Sequence, residues 1–286
     1  MWCLPFALAA LQVLAPPSAL RRSGVLQSPR LRESSGVAVS RAHRGVLWTH
    51  NDSGDGPYIY ATDTSGADRG ALRVPGANAV DWEDMTLGPC PASPASCLYL
   101  ADTGDNDERR VSVTVYAVPE PPPPGGPADT AGTTGAPAVL HMAYPGGPAD
   151  VEAVYVMQDA SLYLVTKGRS RGIRLYRVPR QAWAAGGVVT AELVGELPIT
   201  PDWRLGRWVT GAAASPDGAQ VVVRTYTEIY MFPVAAGRLA PTPTTCVLGP
   251  LEYQGEAVAF LNGEDLVLTS EAGPQSGGTI HIARCP

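Results

Sequence analysis

The chain has 286 residues, enough to bury a full core in one large domain, and 45% are hydrophobic, which excludes a disordered polymer. Its 31 glycines and 28 prolines follow no period. That excludes collagen and leaves frequent turns between short strands. A formal net charge of -6 and a pI near 5.2, with no basic run, exclude phosphate-driven nucleic-acid binding and suit cations or cationic ligands.

Residues 1–20 open on Met1-Trp-Cys-Leu-Pro-Phe-Ala-Leu-Ala-Ala-Leu-Gln-Val-Leu-Ala15. An apolar run of this length matches a signal-peptide core and is too short to span a bilayer. It predicts a protein secreted or delivered to the periplasm, with no transmembrane segment in the mature chain. A short buried N-terminal helix is the alternative. Residues 21–286 then form one domain. Of the five cysteines, Cys90, Cys97, Cys246 and Cys285 remain after the leader is removed. An even set in an exported chain predicts disulfides. Cys90 and Cys97 flank a short hairpin loop and predict one bridge; Cys246–Cys285 follows by elimination. Zinc is not expected, because no CxxC or HxxxH spacing occurs.

A repeated unit then runs along the chain. The first copy reads Ser35-Gly-Val-Ala-Val39, Val46-Leu-Trp-Thr-His50, Ile59-Tyr-Ala, then Ala71-Leu-Arg-Val. The second reads Glu83-Asp-Met-Thr-Leu87, Cys97-Leu-Tyr-Leu-Ala101, Val115-Tyr-Ala-Val, then Ala138-Val-Leu-His-Met. A Pro/Gly/Thr-rich insertion at 119–137 precedes its last strand and reads as a stiff exposed loop. The third reads Glu152-Ala-Val-Tyr-Val156, Ser161-Leu-Tyr-Leu-Val165, Leu175-Tyr-Arg-Val, then Ala191-Glu-Leu-Val. The fourth reads Gly211-Ala-Ala-Ala-Ser215, Gln220-Val-Val-Val-Arg224, Met231-Phe-Pro-Val, then Thr245-Cys-Val-Leu. The fifth, Glu256-Ala-Val-Ala-Phe260, Asp265-Leu-Val-Leu-Thr269 and Ile280-His-Ile, ends one strand short.

Four short β-branched and aromatic strands per copy, punctuated by Gly, Pro, Asp and Asn, read as blades. The expected fold is an all-β, five-bladed β-propeller. Gly24-Val-Leu-Gln supplies the strand missing from the fifth copy and closes the ring, which removes the open edge. The insertions at 119–137 and 180–207 leave room for a sixth blade.

In such a ring the first strands line the channel, and the residues opening them share a face with the loops between second and third strands. Glu83, Glu152 and Glu256 open three first strands, with Asp84 beside Glu83. The loops carry Asn51-Asp52, Asp102 and Asp105, Lys167, Tyr226 and Glu271. Clustered carboxylates repel, and a hard cation with oxygen ligands compensates them; calcium suits an exported protein. Glu83, Asp102, Glu152 and Glu256 are the candidate metal ligands. Asn51, Asp52, Asp84, Asp105, Lys167, Tyr226 and Glu271 are candidate ligand-binding residues. A purely structural role is the competing reading, with the carboxylates paired to Lys167, Arg207, Arg224 or backbone N–H groups. No nucleophile elbow, Walker loop or dinucleotide fingerprint occurs, so no catalytic residue is assigned. His50 precedes Asn51-Asp52 and is the histidine placed nearest the channel face.

The strings Glu33-Ser-Ser-Gly-Val-Ala, Leu47-Trp-Thr-His-Asn-Asp-Ser-Gly, Asp81-Trp-Glu-Asp-Met, Tyr99-Leu-Ala-Asp-Thr-Gly-Asp-Asn, Asp150-Val-Glu-Ala and Gln254-Gly-Glu-Ala-Val-Ala resemble a group of exported bacterial propeller proteins. More remotely the pattern is similar to esterase-like phytases and to gluconolactonase and strictosidine-synthase-like propellers. That resemblance implies a calcium ion at the channel, with Glu83, Asn51, Asp102, Glu152 and Glu256 at the matching positions. The expected function is binding of a divalent cation or small polar ligand at an acidic channel mouth. The alternatives are a calcium-dependent hydrolase of an ester, lactone or phosphoester, and a protein-interaction scaffold using the 119–137 insertion.

Overall fold

Short apolar runs separated by turn residues fold into five antiparallel sheets, the blades of a β-propeller. The computed structural model describes residues 14–127 and 132–286. Most of the expected leader at 1–20 lies outside the described residues; within its end, Leu14–Ala15 and Ala19–Leu20 are strand-paired.

Every blade follows the order of its repeat. The inner strands are Ser34–Val39, Trp82–Pro89, Val151–Val156, Val209–Ala214 and Gly255–Phe260. Each packs against the inner strand of the next blade, and the fifth packs against the first. Blade five takes its outer strand from Ala19–Val25, which pairs antiparallel with Thr279–Arg284. The ring is therefore closed by the N-terminal segment, in a strand that begins five residues before Gly24.

The core is divided among the blade interfaces. One buried cluster joins blades one and two around Trp48, Trp82 and Tyr116, and another joins blades two and three around Tyr99, Tyr144 and Tyr176. Further clusters seal interfaces three–four, four–five and five–one, where Tyr155, Phe260 and Tyr60 are the largest buried members. Burying apolar surface between blades drives them together, so each blade is stable only beside its neighbours. Cys90–Cys97 closes the first hairpin of blade two, and Cys246–Cys285 ties blade four to blade five.

The insertions are straps rather than a sixth blade among the described residues. Gly132–Thr133, at the end of the Pro-rich insertion, pairs parallel with the outer strand of blade one. Val188–Thr190 does the same for blade two, and Leu14–Ala15 for blade four. Within 180–207, a 3-10 turn at Arg180–Ala184 sets Trp183 edge-on to Tyr99, with ring centroids 5.6 Å apart.

One irregularity recurs in all five blades. The register of each inner strand against its neighbour shifts by one residue, at Ser35, Glu83, Glu152, Thr210 and Glu256. A β-bulge leaves its extra residue out of the ladder and re-aims its side chain. In blade four the bulged residue is Thr210; the sequence repeat placed Gly211 there, one position late. The repeat registers were set on small apolar residues, and the Thr210-Gly-Ala-Ala-Ala run makes a one-residue slip invisible.

Candidate functional site

Four of the five bulges bring their side chains to one end of the channel, where they form the floor of a cavity of about 250 Å³; the fifth, Thr210, is buried and donates to Gly255 O instead. Ser35, Glu83, Glu152 and Glu256 line it from below. Asp52, Lys167, Tyr226 and Glu271 line it from the loops after the second strands. Seven of the residues singled out in the sequence therefore meet here: Asp52, Glu83, Glu152, Lys167, Tyr226, Glu256 and Glu271.

The remaining four do other work. Asn51 Oδ1 accepts the N–H groups of Arg32 and Glu33, each at 2.9 Å, and its amide donates to Arg30 O and Asp55. Asp102 pairs with Arg110 at 2.8 Å and accepts the N–H groups of Val80 and Asp81. Asp105 accepts the N–H groups of Arg109 and Arg110 at 2.8 and 2.6 Å. Asp84 is fully buried below the cavity, bonded to the N–H groups of Met85, Val154 and Ala212. His50 is also buried, with Nδ1 2.8 Å from Asn51 O and its ring edge-on to Trp82. Burial pushes its imidazole down to about 4, so it is neutral at physiological pH.

Two acidic residues that sequence reasoning passed over stand beside the floor. Asp81 and Asp150 stand two positions before Glu83 and Glu152. Asp81 and Asp150 lie just before the inner strands, and the bulges at Glu83 and Glu152 turn those carboxyl groups to meet them. That Asp-x-Glu spacing was the available signal. Asp52, Asp81 and Glu83 form one group whose oxygens lie within 4.8 Å of one another, and Glu83, Asp150 and Glu152 form a second. Asp52 thus lies beside Asp81, and Glu83 beside Glu152, with carboxylate oxygens no more than 4.8 Å apart. The Asp102–Asp105 loop crosses closely above: a Cβ on Gly104 would lie 2.1 Å from Glu83 Oε1 and 2.4 Å from Asp81 Oδ2.

The electrostatics follow from this crowding. Burial, then the nearby Asp81 and Glu152, raises Asp52 to about 7. Burial raises Glu152 to about 7 although Lys167 opposes the shift. Glu256 is pushed up to about 8 by burial and Glu152, and Glu271 to about 7 by burial and Glu33. Burial, then Glu152 and Asp52, pushes Glu83 well above the usual carboxylate range, although Lys167 opposes the shift. Lys167 Nζ lies 2.6 Å from Glu152 Oε1. Burial opposes its charge, but Glu152 and Glu83 outweigh burial and keep the ammonium charged. Of the other pairings expected from the sequence, Arg207 takes Glu228 at 2.9 Å and Arg224 takes the buried Glu252, both away from the cavity.

Arg169 and Trp208 form the rim. The Arg169 guanidinium lies 4.8 Å from the centre of the Trp208 ring, donates to Asn106, and stands 3.5 Å from Asp150 Oδ2. No nucleophile in the wall is activated. Ser35 Oγ donates to Glu83 O, Lys167 stays protonated, and burial beside Glu256 holds the Tyr226 phenol above its ordinary value.

No family model matches the chain, and no curated protein matches it. Among solved structures it is similar to the PQQ-bound form of an aldose sugar dehydrogenase from Streptomyces coelicolor, at 15% identity and a TM-score of 0.54. The match covers 94% of this chain and 99% of that one. The likeness is one of fold. No helix among the described residues is long and apolar enough to cross a membrane.

Proposed function

We propose that this chain is a ligand-binding propeller of the extracytoplasmic space whose channel mouth holds a divalent cation. The observation that carries the reading is the pair of carboxylate groups that share Glu83, Asp52 with Asp81 and Asp150 with Glu152, whose oxygens lie within 4.8 Å of one another, Asp150 being buried. Two carboxylates at such distance keep one another from ionising unless a proton or a cation lies between them. The donors in both groups are carboxylate oxygens only, with no thiolate or imidazole, which selects a hard ion such as calcium over zinc or copper. Asp52, Asp81, Glu83, Asp150 and Glu152 would hold the ion, which would supply positive charge to an incoming polar ligand. Trp208 and Tyr226 give that ligand an aromatic wall.

The cofactor of the dehydrogenase is a different matter. PQQ is a polyanionic quinone, and this cavity faces it with Asp52, Glu83, Glu152, Glu256 and Glu271 against Lys167 and Arg169, both already paired with carboxylates. The residues do not fit it. Without an activated nucleophile, the geometry favours binding over turnover.

The reading is tested by calorimetric titration of the metal-free protein with calcium at pH 8, beside Glu83→Gln. Saturable binding lost in the variant is the expected result. Absence of binding in the wild type, to calcium and to magnesium alike, sinks it.

A further inference from the structure

The two carboxylate groups at the channel mouth share Glu83 but differ in what covers them. The group of Glu83, Asp150 and Glu152 lies under a side chain that carries its own positive charge. Asp150 is 2% exposed, and its Oδ1 accepts the Asp105 N–H at 3.0 Å. Its Oδ2 is buried without a hydrogen-bond partner. The cation beside that oxygen is Arg169, whose Nε stands 3.5 Å away, too far for a good N–H···O bond. Asp150 Oδ2 is thus neutralised but not satisfied, the condition of an acceptor built for a closer partner than the one it has.

Arg169 and Lys167 are held in different ways. Lys167 is 8% exposed and locked to Glu152 at 2.6 Å, so it belongs to the wall. The Arg169 side chain is 35% exposed. Its loop turns through Gly168 at φ +85° and is anchored outward rather than downward. The guanidinium rests on the Trp208 ring and donates to Asn106, and Ser170 Oγ donates to Glu108 on the same neighbouring loop. The guanidinium keeps these outer contacts if it withdraws from Asp150.

We propose that Arg169 is a tethered cation that occupies the Glu83–Asp150–Glu152 group, and that a free divalent cation binds there by displacing it from Asp150. This rests on the cation-binding reading and adds the residue that sets its strength. A dication and a guanidinium cannot share one buried carboxylate at full strength, because like charges this close repel strongly even at an effective dielectric constant of about 20. Removing the tethered charge therefore tightens cation binding, the opposite of what loss of an ordinary wall residue does.

The test is a calcium titration of the metal-free full chain at pH 8, comparing wild type, Arg169→Ala and Arg169→Gln. The glutamine variant keeps a planar amide over Trp208 without the charge, so it stands in if the alanine variant folds poorly. Both variants are expected to bind calcium roughly tenfold tighter than wild type. Trp208→Ala, which removes the platform holding the guanidinium, should give a smaller gain of the same sign. Unchanged or weaker binding in the Arg169 variants, with the wild type still binding, overturns this proposal alone. Loss of binding in every form overturns it together with the cation reading. Binding seen only in the variants supports it.

Discussion

The Asp84 carboxylate of blade two accepts the backbone N–H of Ala212 in blade four at 3.2 Å, across the central channel. The same oxygen accepts the Val154 N–H of blade three at 2.9 Å, and the other accepts Met85 N–H at 2.7 Å. The positions equivalent to Asp84 in the other inner strands are Gly36, Ala153, Gly211 and Ala257, so one long side chain fills the space that four small ones leave. Asp84 thereby plugs the channel centre, bridging blades two, three and four below the cavity. Burial pushes the carboxyl up while its three amide donors oppose the shift.

Asp84→Ala leaves three buried N–H groups without an acceptor, one in each of three blades. Each such orphan costs on the order of 1–3 kcal/mol. A loss of about 4 kcal/mol in urea unfolding is expected, with Asp84→Asn losing less because its amide oxygen still accepts. A loss under about 1 kcal/mol for the alanine variant would show that the plug contributes little.

The blades were legible because their signal is repetitive and local. Strand alternation and turn residues recur five times, and the strand missing from the last copy pointed to the N-terminus. The acidic mouth was legible because Glu83, Glu152 and Glu256 recur at one place in the repeat. What was hidden depends on distance. Asp102 and Asp105 look like ligands in sequence, yet they cap loops, because Asp serves turns and metals with the same atoms. Asp84 looks like a neighbour of Glu83 in sequence, yet successive strand residues face opposite ways and the bulge turns it inward. Arg169 showed nothing at all: its role comes from Trp208 and Asp150, 39 and 19 residues away (208 − 169 and 169 − 150), meeting over it.

Gly255 precedes the bulged Glu256, where blades one to three carry Ser34, Trp82 and Val151. The reason is Arg224, which is fully buried and donates to Ala257 O at 2.6 Å and Thr269 O at 3.0 Å. A Cβ on Gly255 would lie 2.1 Å from Arg224 Nη2 and 2.6 Å from Glu252 Oε2. Gly255→Ala must displace a buried ion pair, so it should cost about 3 kcal/mol, at the upper end of overpacking effects. Thermal unfolding checks it. Gly263→Ala, where a Cβ meets nothing within 4 Å, is the control expected to change little.

Lys167→Met removes the counter-charge from Glu152 while keeping the side-chain volume. Breaking one side of a buried pair costs about 3–5 kcal/mol, because the other charge stays behind. The penalty should shrink at pH 5, where Glu152 takes a proton, and should largely disappear in Lys167→Met/Glu152→Gln. Denaturant midpoints of the two single variants and the double variant at pH 8 form the cycle. Additive losses would mean that the two side chains act independently despite their 2.6 Å contact.

The acidic mouth predicts an unusual dependence of stability on pH. In the folded chain Asp52, Glu152 and Glu271 titrate near 7 and Glu256 near 8, whereas in the unfolded chain each ionises near 4. Between those values the folded state binds more protons than the unfolded state. Stability therefore falls as pH rises, and the contribution present below about 4 is lost by about 8. The metal-free protein should melt at a lower temperature at pH 8 than at pH 5, the reverse of a protein dominated by salt-bridged carboxylates. Calcium competes with these protons for the same oxygens. Millimolar calcium should raise the melting temperature clearly at pH 8 and little at pH 5. At one hundred times the dissociation constant the gain is about 2.7 kcal/mol. Glu83→Gln should abolish the calcium effect at pH 8 and raise the metal-free melting temperature there, since one repelling carboxyl is gone. A calcium effect of equal size at both pH values would place the ion away from these carboxylates, because only their protonation makes binding depend on pH in this window.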